Sequence, residues 1–366
     1  MMRIEGSAFI ERCLAQHIPF LGCMRPNSLS IEWYTLNELT IDQGQNWNKK
    51  GSEIFVVQPY NRSQPARYFE LVSAVGEPTE AFEIQQNEPL TTEYILSQEQ
   101  RSDYAQMLKE AINHMKRDVF DKVVLSLRLS MSSNSPFTLL IKRLFTREKK
   151  NSLRHLFSIN DGVIWVGDTP ETLLARDHDF IKTEALAGTR RISELKVKEF
   201  TFKEFEEQGF VVDELKQRLS AFVKEIHLSD REQVLAGNLS HLKNTLSGSL
   251  KEIFSDMDLL DVLHPTAAVC GFPRTKALAL IAGLEKHNRE LYAGYIGFRT
   301  TKKSTYFVNL RCARIDALSL DLFVGAGITA QSVIENETDE IQSKTATIMR
   351  LIAFNGGNMQ PVKYLY

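Results

Sequence analysis

The chain is poor in the residues and patterns that mark several common functions. Its 4 cysteines, Cys13, Cys23, Cys270 and Cys312, are scattered, with no CxxC pair among them. That spacing gives no support to a zinc site or a disulfide framework and suits reduced thiols in a cytosol. The 8 histidines show no HxxxH spacing, so a helical zinc or iron motif has little support. Charge of one sign is also missing: 44 Lys and Arg balance 46 Asp and Glu, leaving a net charge of -2. Without a basic stripe to track a phosphate backbone, nucleic acid is not an expected partner. No apolar run is long enough to span a bilayer. The amphipathic start MMRIEGSAFIERCLAQHIPF places Glu5 and Glu11 where a signal peptide needs an uninterrupted apolar core. The expectation is a soluble cytoplasmic protein with no membrane partner. Length alone suggests roughly two domains. No Pro/Gly/Ser-rich linker divides the chain, so one large domain over 1–366 is preferred.

What is present is a 43% hydrophobic composition, enough for a large core. Residues 1–95 read as short strands separated by turns, such as SEIFVVQPY at 52–60 and YFELVSAVG at 68–76, with no chemical constellation. They are expected to be a structural portion beside a motif-bearing portion over 96–355. A helical period runs from Ser97 to Lys116 and is followed by a strand from Lys122 to Arg128. A helix is expected after Ser135, then a strand pair at HLFSIN and VIWVGDT. Residues 196–224 carry helical spacing throughout and predict one long helix. Another helix is predicted from Arg274 to Glu285, opening after Pro273. TYFVNLRCARI and LDLFVGAGI predict a hairpin turning near Asp316, and a helix from Glu335 to about Phe354 closes the chain.

Several residues along this path invite chemistry. Glu204 and Glu207 share one helical face, as do Glu337 and Glu340, because an i, i+3 spacing puts both side chains on one side. Most such pairs are solvated helix faces, but two of these helices facing each other would offer four carboxylates to a hard cation such as Mg²⁺. Lys122 opens an apolar strand, where a lysine ordinarily snorkels its amine into water. Held partly desolvated, it would instead serve as a base. Glu171, after Pro170, reads either as a first-turn helix glutamate or, enclosed by Leu173 and Leu174, as a general acid. The glycines of LAGTR at 186–190 and of GAG at 325–327 fit tight strand ends, or backbone brought close to a carboxylate. Arg311, inside VNLRCARI, needs an anionic partner if it points inward. His264, in LHPTAAVCGFPR, is the histidine in the most constrained-looking setting.

Together these segments resemble the chorismate-utilising enzymes, which include isochorismate, salicylate, anthranilate and aminodeoxychorismate synthases. The resemblance rests on KVVLS at 122–126, TPETLL at 169–174, LAGTR at 186–190, KEFEEQ at 203–208 and LHPTAAVCGFPR at 263–274. It continues through RELYAGYIG at 289–297, VNLRCARI at 308–315 and GAGITAQSVIENETDEIQSK at 325–344. It implies an α+β fold, a single large domain whose two-layer antiparallel β-sandwich core is surrounded by helices. It also implies Mg²⁺ held directly by Glu207 and Glu340, with Glu204 and Glu337 around them, and chorismate as substrate. Arg311, Tyr292 and Lys344 would bind substrate carboxylates, helped by backbone at Gly188, Thr189, Gly294, Gly325 and Gly327, with His264 as a further substrate-binding residue.

Relatives that use ammonia carry glutamine where Lys122 stands, so the resemblance implies water as nucleophile and no glutaminase subunit. Ala187 occupies the place of the lysine nucleophile of the aminodeoxychorismate enzymes. The implied reaction is isomerisation of chorismate to isochorismate, with Lys122 as base and Glu171 as acid, for menaquinone or siderophore synthesis. A salicylate synthase and a catalytically weak chorismate-binding paralogue are the alternatives. The chain departs from the usual family pattern at Gln208, where histidine is common, at Leu127 and at Arg191.

Overall fold

The computed structural model describes residues 6–73, 79–80, 94–117, 121–132, 141, 143–146, 151–160, 162–193, 196–197, 200–236, 239–316 and 319–352. Its strands are β1 (Phe20–Met24), β2 (Ser30–Leu39), β3 (Ile54–Gln58), β4 (Arg67–Ser73), β5 (Thr79–Glu80), β6 (Lys122–Ser132), β7 (Leu153–Asn160), β8 (Val163–Thr169), β9 (Thr172–Asp177) and β10 (Phe180–Ser193). They continue with β11 (Lys196–Val197), β12 (His227–Leu228), β13 (Glu232–Ala236), β14 (Leu239–Ser249), β15 (Gly271–Phe272), β16 (Tyr295–Arg299), β17 (Lys303–Val308), β18 (Cys312–Ile315) and β19 (Ser319–Thr329). The helices are α1 (Gly6–Ala15), α2 (Ile41–Gln45), α3 (Gln98–Met115), α4 (Phe202–Leu219), α5 (Asp256–Leu263), α6 (Arg274–Leu284) and α7 (Ile334–Ile352).

The ladder is antiparallel throughout. From one edge it runs β15, β6, β19, β18, β8, β7, β1 and β2. It goes on through β4, β3, β16, β17, β9, β10 and β14, and β12 and β13 pair with β14. β2 joins the two halves, and the halves face each other: Phe55 of β3 meets Phe157 of β7 with ring centroids 5.3 Å apart. This is the two-layer sandwich of an α+β domain. The strands β1 to β4, all before residue 95, belong to the same ladder, since β1 pairs with β7 and β3 with β16.

Helices close the outside because their apolar stripes need a partner surface. Phe9 of α1, Leu108 of α3, Ile281 of α6 and Ile341 of α7 are buried in one cluster with Val123 and Leu125 of β6 and Ala326 of β19. Val211 and Leu215 of α4 and Leu259 of α5 join a second cluster with Leu173, Ala185 and Leu246 of β9, β10 and β14. Capping boxes start the helices: Ser97 with Gln100 opens α3, and Ser255 with Asp258 opens α5.

Three elements differ from the sequence expectations. The long helix over 196–224 is confined to Phe202–Leu219, because the Thr201–Glu204 capping box fixes its start and Lys196–Val197 pairs back onto β10. The strand TYFVNLRCARI is split between β17 and β18, with Arg311 in the left-handed region at φ 48°. TPETLL holds no helix: Pro170 and Glu171 form the junction between β8 and β9. The segment following Ser135, up to residue 140, lies outside the described residues. The strand pair at β7 and β8, the helix opening after Pro273 and the hairpin of β18 with β19 form as the pattern requires.

Candidate active site

The site grows from the central pairing of β6 with β19, which sets Lys122 opposite Thr329, Val124 opposite Gly327 and Ser126 opposite Gly325. On its other edge β6 pairs with β15, Phe272 opposite Lys122. A lysine walled by strands on both sides has no path for its chain to reach water, and Lys122 is 0% exposed. The snorkelling reading therefore fails. Its Nζ lies 3.1 Å from Oε1 of Glu207, delivered by α4. A Cβ on residue 327 would overlap that carboxylate oxygen and come 3.1 Å from Lys122 Cε, so glycine alone leaves room for the pair.

Glu171 occupies the strand junction, 2% exposed, with its carbonyl accepting from the Val308 amide. Burial pushes its carboxyl up to about 8 and the Glu184 charge adds to this, while Lys122 and Arg311 pull the other way. Near neutrality it is a proton-bearing acid, and the interactions place it between those two cations.

Arg311 is buried near the charges of Asp168 and Glu171, as its sequence setting suggested, but its side-chain hydrogen bond goes to a neutral group. Its guanidinium bonds His241 Nε2 at 3.1 Å. Burial, with help from the Arg311 and Lys344 charges, holds His241 well below the ordinary imidazole range, so the neutral ring accepts the arginine's proton. The left-handed backbone at Arg311 costs about 1–3 kcal/mol for a non-glycine residue. It is the kind of strain that aims a side chain. His241 was missed from sequence: it stands on β14 opposite Thr189, and only this cross-strand register brings it to Arg311.

Around these groups closes a cavity of about 110 Å³, lined by Glu171, Gly188, Glu207, His241, Tyr292, Arg311, Gly325, Gly327 and Lys344 with apolar neighbours such as Val124, Leu186 and Phe323. Gly188 sits at a bulge in β10 with φ 70°, and a Cβ there would come 2.9 Å from the Glu204 carbonyl. Tyr292 stacks on Phe323 at 5.6 Å, and its hydroxyl fills the place that a side chain on Gly325 would need. Lys344 donates to the Gly325 carbonyl at 2.8 Å and pairs with Glu340 at 2.7 Å.

The four glutamates do not converge. Glu204 accepts from the Thr201 amide at 2.7 Å and from Arg190 at 2.9 Å, so helix capping occupies its carboxylate. Glu337 is 1% exposed on α7, and its charge, with that of Glu340, acts on Tyr104 of α3. Among the described residues no three His, Cys, Asp or Glu groups are placed to hold a metal together. Glu207 and Glu340 remain, one against Lys122 and the other against Lys344. One or two carboxylates, with waters and substrate oxygens, are the usual donor set of Mg²⁺. Glu207, whose side chain lines the cavity, fits that use.

Two of the substrate-binding candidates, His264 and Gly294, lie apart from the cavity lining. His264 bonds the Ala293 carbonyl at 2.9 Å and packs edge-on against Tyr295, a neutral buried brace lowered to about 3 by desolvation. Gly294 is glycine because a Cβ would collide with the Gln58 carbonyl of β3. Thr189 is placed only through its backbone, opposite His241. Gln208, the departure from the histidine pattern, is buried, donating to Asn244 at 2.5 Å and accepting from Arg231 at 3.0 Å.

Known proteins resemble this chain in sequence and in fold. The isochorismate synthase MenF of Haemophilus influenzae is 32% identical over 216 residues, covering 56% of this chain and 50% of the relative. MenF of Escherichia coli is 30% identical over 263 residues, covering 69% of this chain and 60% of the relative. The chain thus matches about half to three-fifths of the length of these curated relatives. The solved structure of the menaquinone-specific isochorismate synthase MenF from Escherichia coli superposes with a TM-score of 0.75 at 22% identity, covering 91% of this chain and 88% of that one. It shares the fold. Among the described residues no helix is long and apolar enough to cross a membrane. The pattern of the family described as chorismate binding enzyme matches residues 38–353, nearly the whole of the ladder and every residue of the cavity, and the chain belongs to that family.

Proposed function

We propose that this protein is an isochorismate synthase that adds water at C2 of chorismate and releases the C4 hydroxyl as water. Atoms balance, one water entering as one leaves, so the net reaction is an isomerisation. The observation that carries the reading is the pair of buried groups beside one cavity: the 0% exposed Lys122 and the 2% exposed Glu171. A molecule that merely binds a dicarboxylate has no use for a buried acid opposite a buried lysine.

In this reading Lys122 takes the proton of the attacking water, and Glu171, protonated below about 8, gives its proton to the departing hydroxyl. Arg311, held by neutral His241, offers its remaining donors to a substrate carboxylate, and Tyr292 adds a hydroxyl. Lys344 adds positive charge on the α7 side. Glu207 and Glu340 would hold Mg²⁺, which supplies charge neutralisation for the ring carboxylate. The lysine at position 122 supports water over ammonia as nucleophile, and with it a chain that acts without a glutaminase subunit. The chain carries no membrane-spanning helix among its described residues, consistent with a cytoplasmic enzyme making a precursor for menaquinone or siderophores.

Purified protein incubated with chorismate, with and without Mg²⁺, tests the reading through its products. Isochorismate accumulating toward equilibrium, without pyruvate and only with Mg²⁺, is expected. Salicylate with pyruvate would replace it by the lyase-coupled reading. Absence of turnover would leave a chorismate-binding paralogue.

A further inference from the structure

The site described so far leaves Glu184 unused, although it is one of the few acidic groups buried beside it. Glu184 stands on β10, 5% exposed. Its Oε2 accepts from the amide of Thr172 at 3.2 Å, the peptide group that immediately follows Glu171. Its Oε1 faces Lys243 of β14 at 3.3 Å. Lys243 also lies 3.9 Å from Glu232 on β13. Glu184 and Thr172 line a second cavity, of about 300 Å³, distinct from the one that Glu171 lines. Consecutive residues thus line two cavities, and Glu184 braces the peptide that joins them.

We propose that Glu184 is a positioning residue for the general acid: its hydrogen bond to Thr172 fixes the junction, and its negative charge behind Glu171 keeps the proton on that carboxyl. The proposal rests on the reading of Glu171 as the acid of the water-addition reaction. The need for such a group follows from the surroundings. Glu171 faces Lys122 from β6 and Arg311 from the β17–β18 connection, and both favour its ionised form. His241 beside Arg311 is neutral and offers no relief. Burial opposes the two cations, and so does a like charge, which Glu184 alone supplies among the groups acting on Glu171. Lys243 pairs with Glu184 Oε1 at 3.3 Å, and the hydrogen bond from Thr172 fixes which way the other oxygen points.

Two substitutions separate charge from packing. Glu184→Gln keeps an oxygen to accept from Thr172 but removes the charge. Glu184→Asp keeps the charge and withdraws it by one methylene, a milder change in case the glutamine variant folds poorly. The readout is the titration of the Glu171 carboxyl in the substrate-free protein, followed by infrared difference spectroscopy and assigned as the band lost in Glu171→Gln. Glu184→Gln is expected to move that titration to lower pH by about one unit, the low end of what a like charge at short range produces. Glu184→Asp should move it the same way by less. The alkaline limb of turnover should follow both shifts. A Glu171 titration unmoved in the folded variants overturns the proposal. A titration that moves while turnover ignores it leaves Glu184 controlling the proton of Glu171 and removes Glu171 from the acid role, so the two ideas fail in different ways.

Discussion

Two buried charged clusters lie within a few residues of each other on β6 and differ in how their polar groups are used. The first is built on Arg289 and Glu285. Arg289 bonds both oxygens of Glu285 at 2.5 and 2.8 Å, the carbonyl of Val269 at 2.8 Å and that of Val124 at 2.7 Å, and its guanidinium lies over the Tyr60 ring. Glu285 in turn accepts from the amide and hydroxyl of Ser126 at 2.7 and 2.9 Å. The second cluster is the cavity, where Lys122 faces one carboxylate at 3.1 Å and Arg311 spends a donor on a neutral histidine. In the first, donors and acceptors are matched within the protein. In the second, Arg311 and Lys344 line a cavity and the arginine keeps donors beyond the one given to His241. A matched cluster fixes the backbone; a cluster with donor capacity left over is available to a ligand.

This contrast is open to direct attack, beginning with the largest effect. Lys122→Gln is expected to lower turnover by about 10²–10⁴-fold, the usual range for a lost acid or base, while the unfolding midpoint moves little. Steady-state kinetics on the folded variant checks it, and full activity would remove the base role. Arg289→Ala should do the reverse. Removing one partner of a buried pair costs about 3–5 kcal/mol, measurable by denaturant unfolding, and the pH profile of the remaining activity should keep its shape. If Arg289→Ala left stability intact, the division between scaffold and site would collapse.

The pH dependence sharpens the same division. Glu171 works in its protonated form, and its carboxyl is raised to about 8. Activity carried by the acid is therefore present below that value and declines as pH rises through it, about tenfold per unit beyond. A turnover profile flat from pH 7 to 10 would exclude Glu171 as the acid. The smallest effect is expected at His264, whose role is the bond to Ala293. His264→Gln should cost about 1 kcal/mol of stability and change KM for chorismate little, because the ring stands outside the cavity wall.

Much of this arrangement was legible in the residues, for identifiable reasons. Lys122, Glu207, Arg311, Tyr292, Lys344 and the glycines at 188, 325 and 327 sit in segments whose motifs carry the family resemblance, and all but Lys122 line the cavity itself. The helix breaks were less legible: helical spacing in the sequence runs from Lys196 past Thr201 to Lys224, and only the capping box shows where α4 begins. The protein partners of the four glutamates were not legible, because an i, i+3 pair says that two carboxylates share a face and not what that face meets. Glu204 meets its own helix end and Arg190.

The sequence by itself carried the family resemblance, and through it the expectation of an antiparallel α+β sandwich and of most of the chemical groups, because local motifs are properties of neighbouring residues. Tertiary structure alone decided that Lys122 is sealed between β15 and β19, that His241 is the partner of Arg311, and that Glu184 stands behind Glu171. Each of these depends on the register between strands far apart in the chain. Register is set by the packing of whole layers, because a slip of one residue would turn every inward side chain outward.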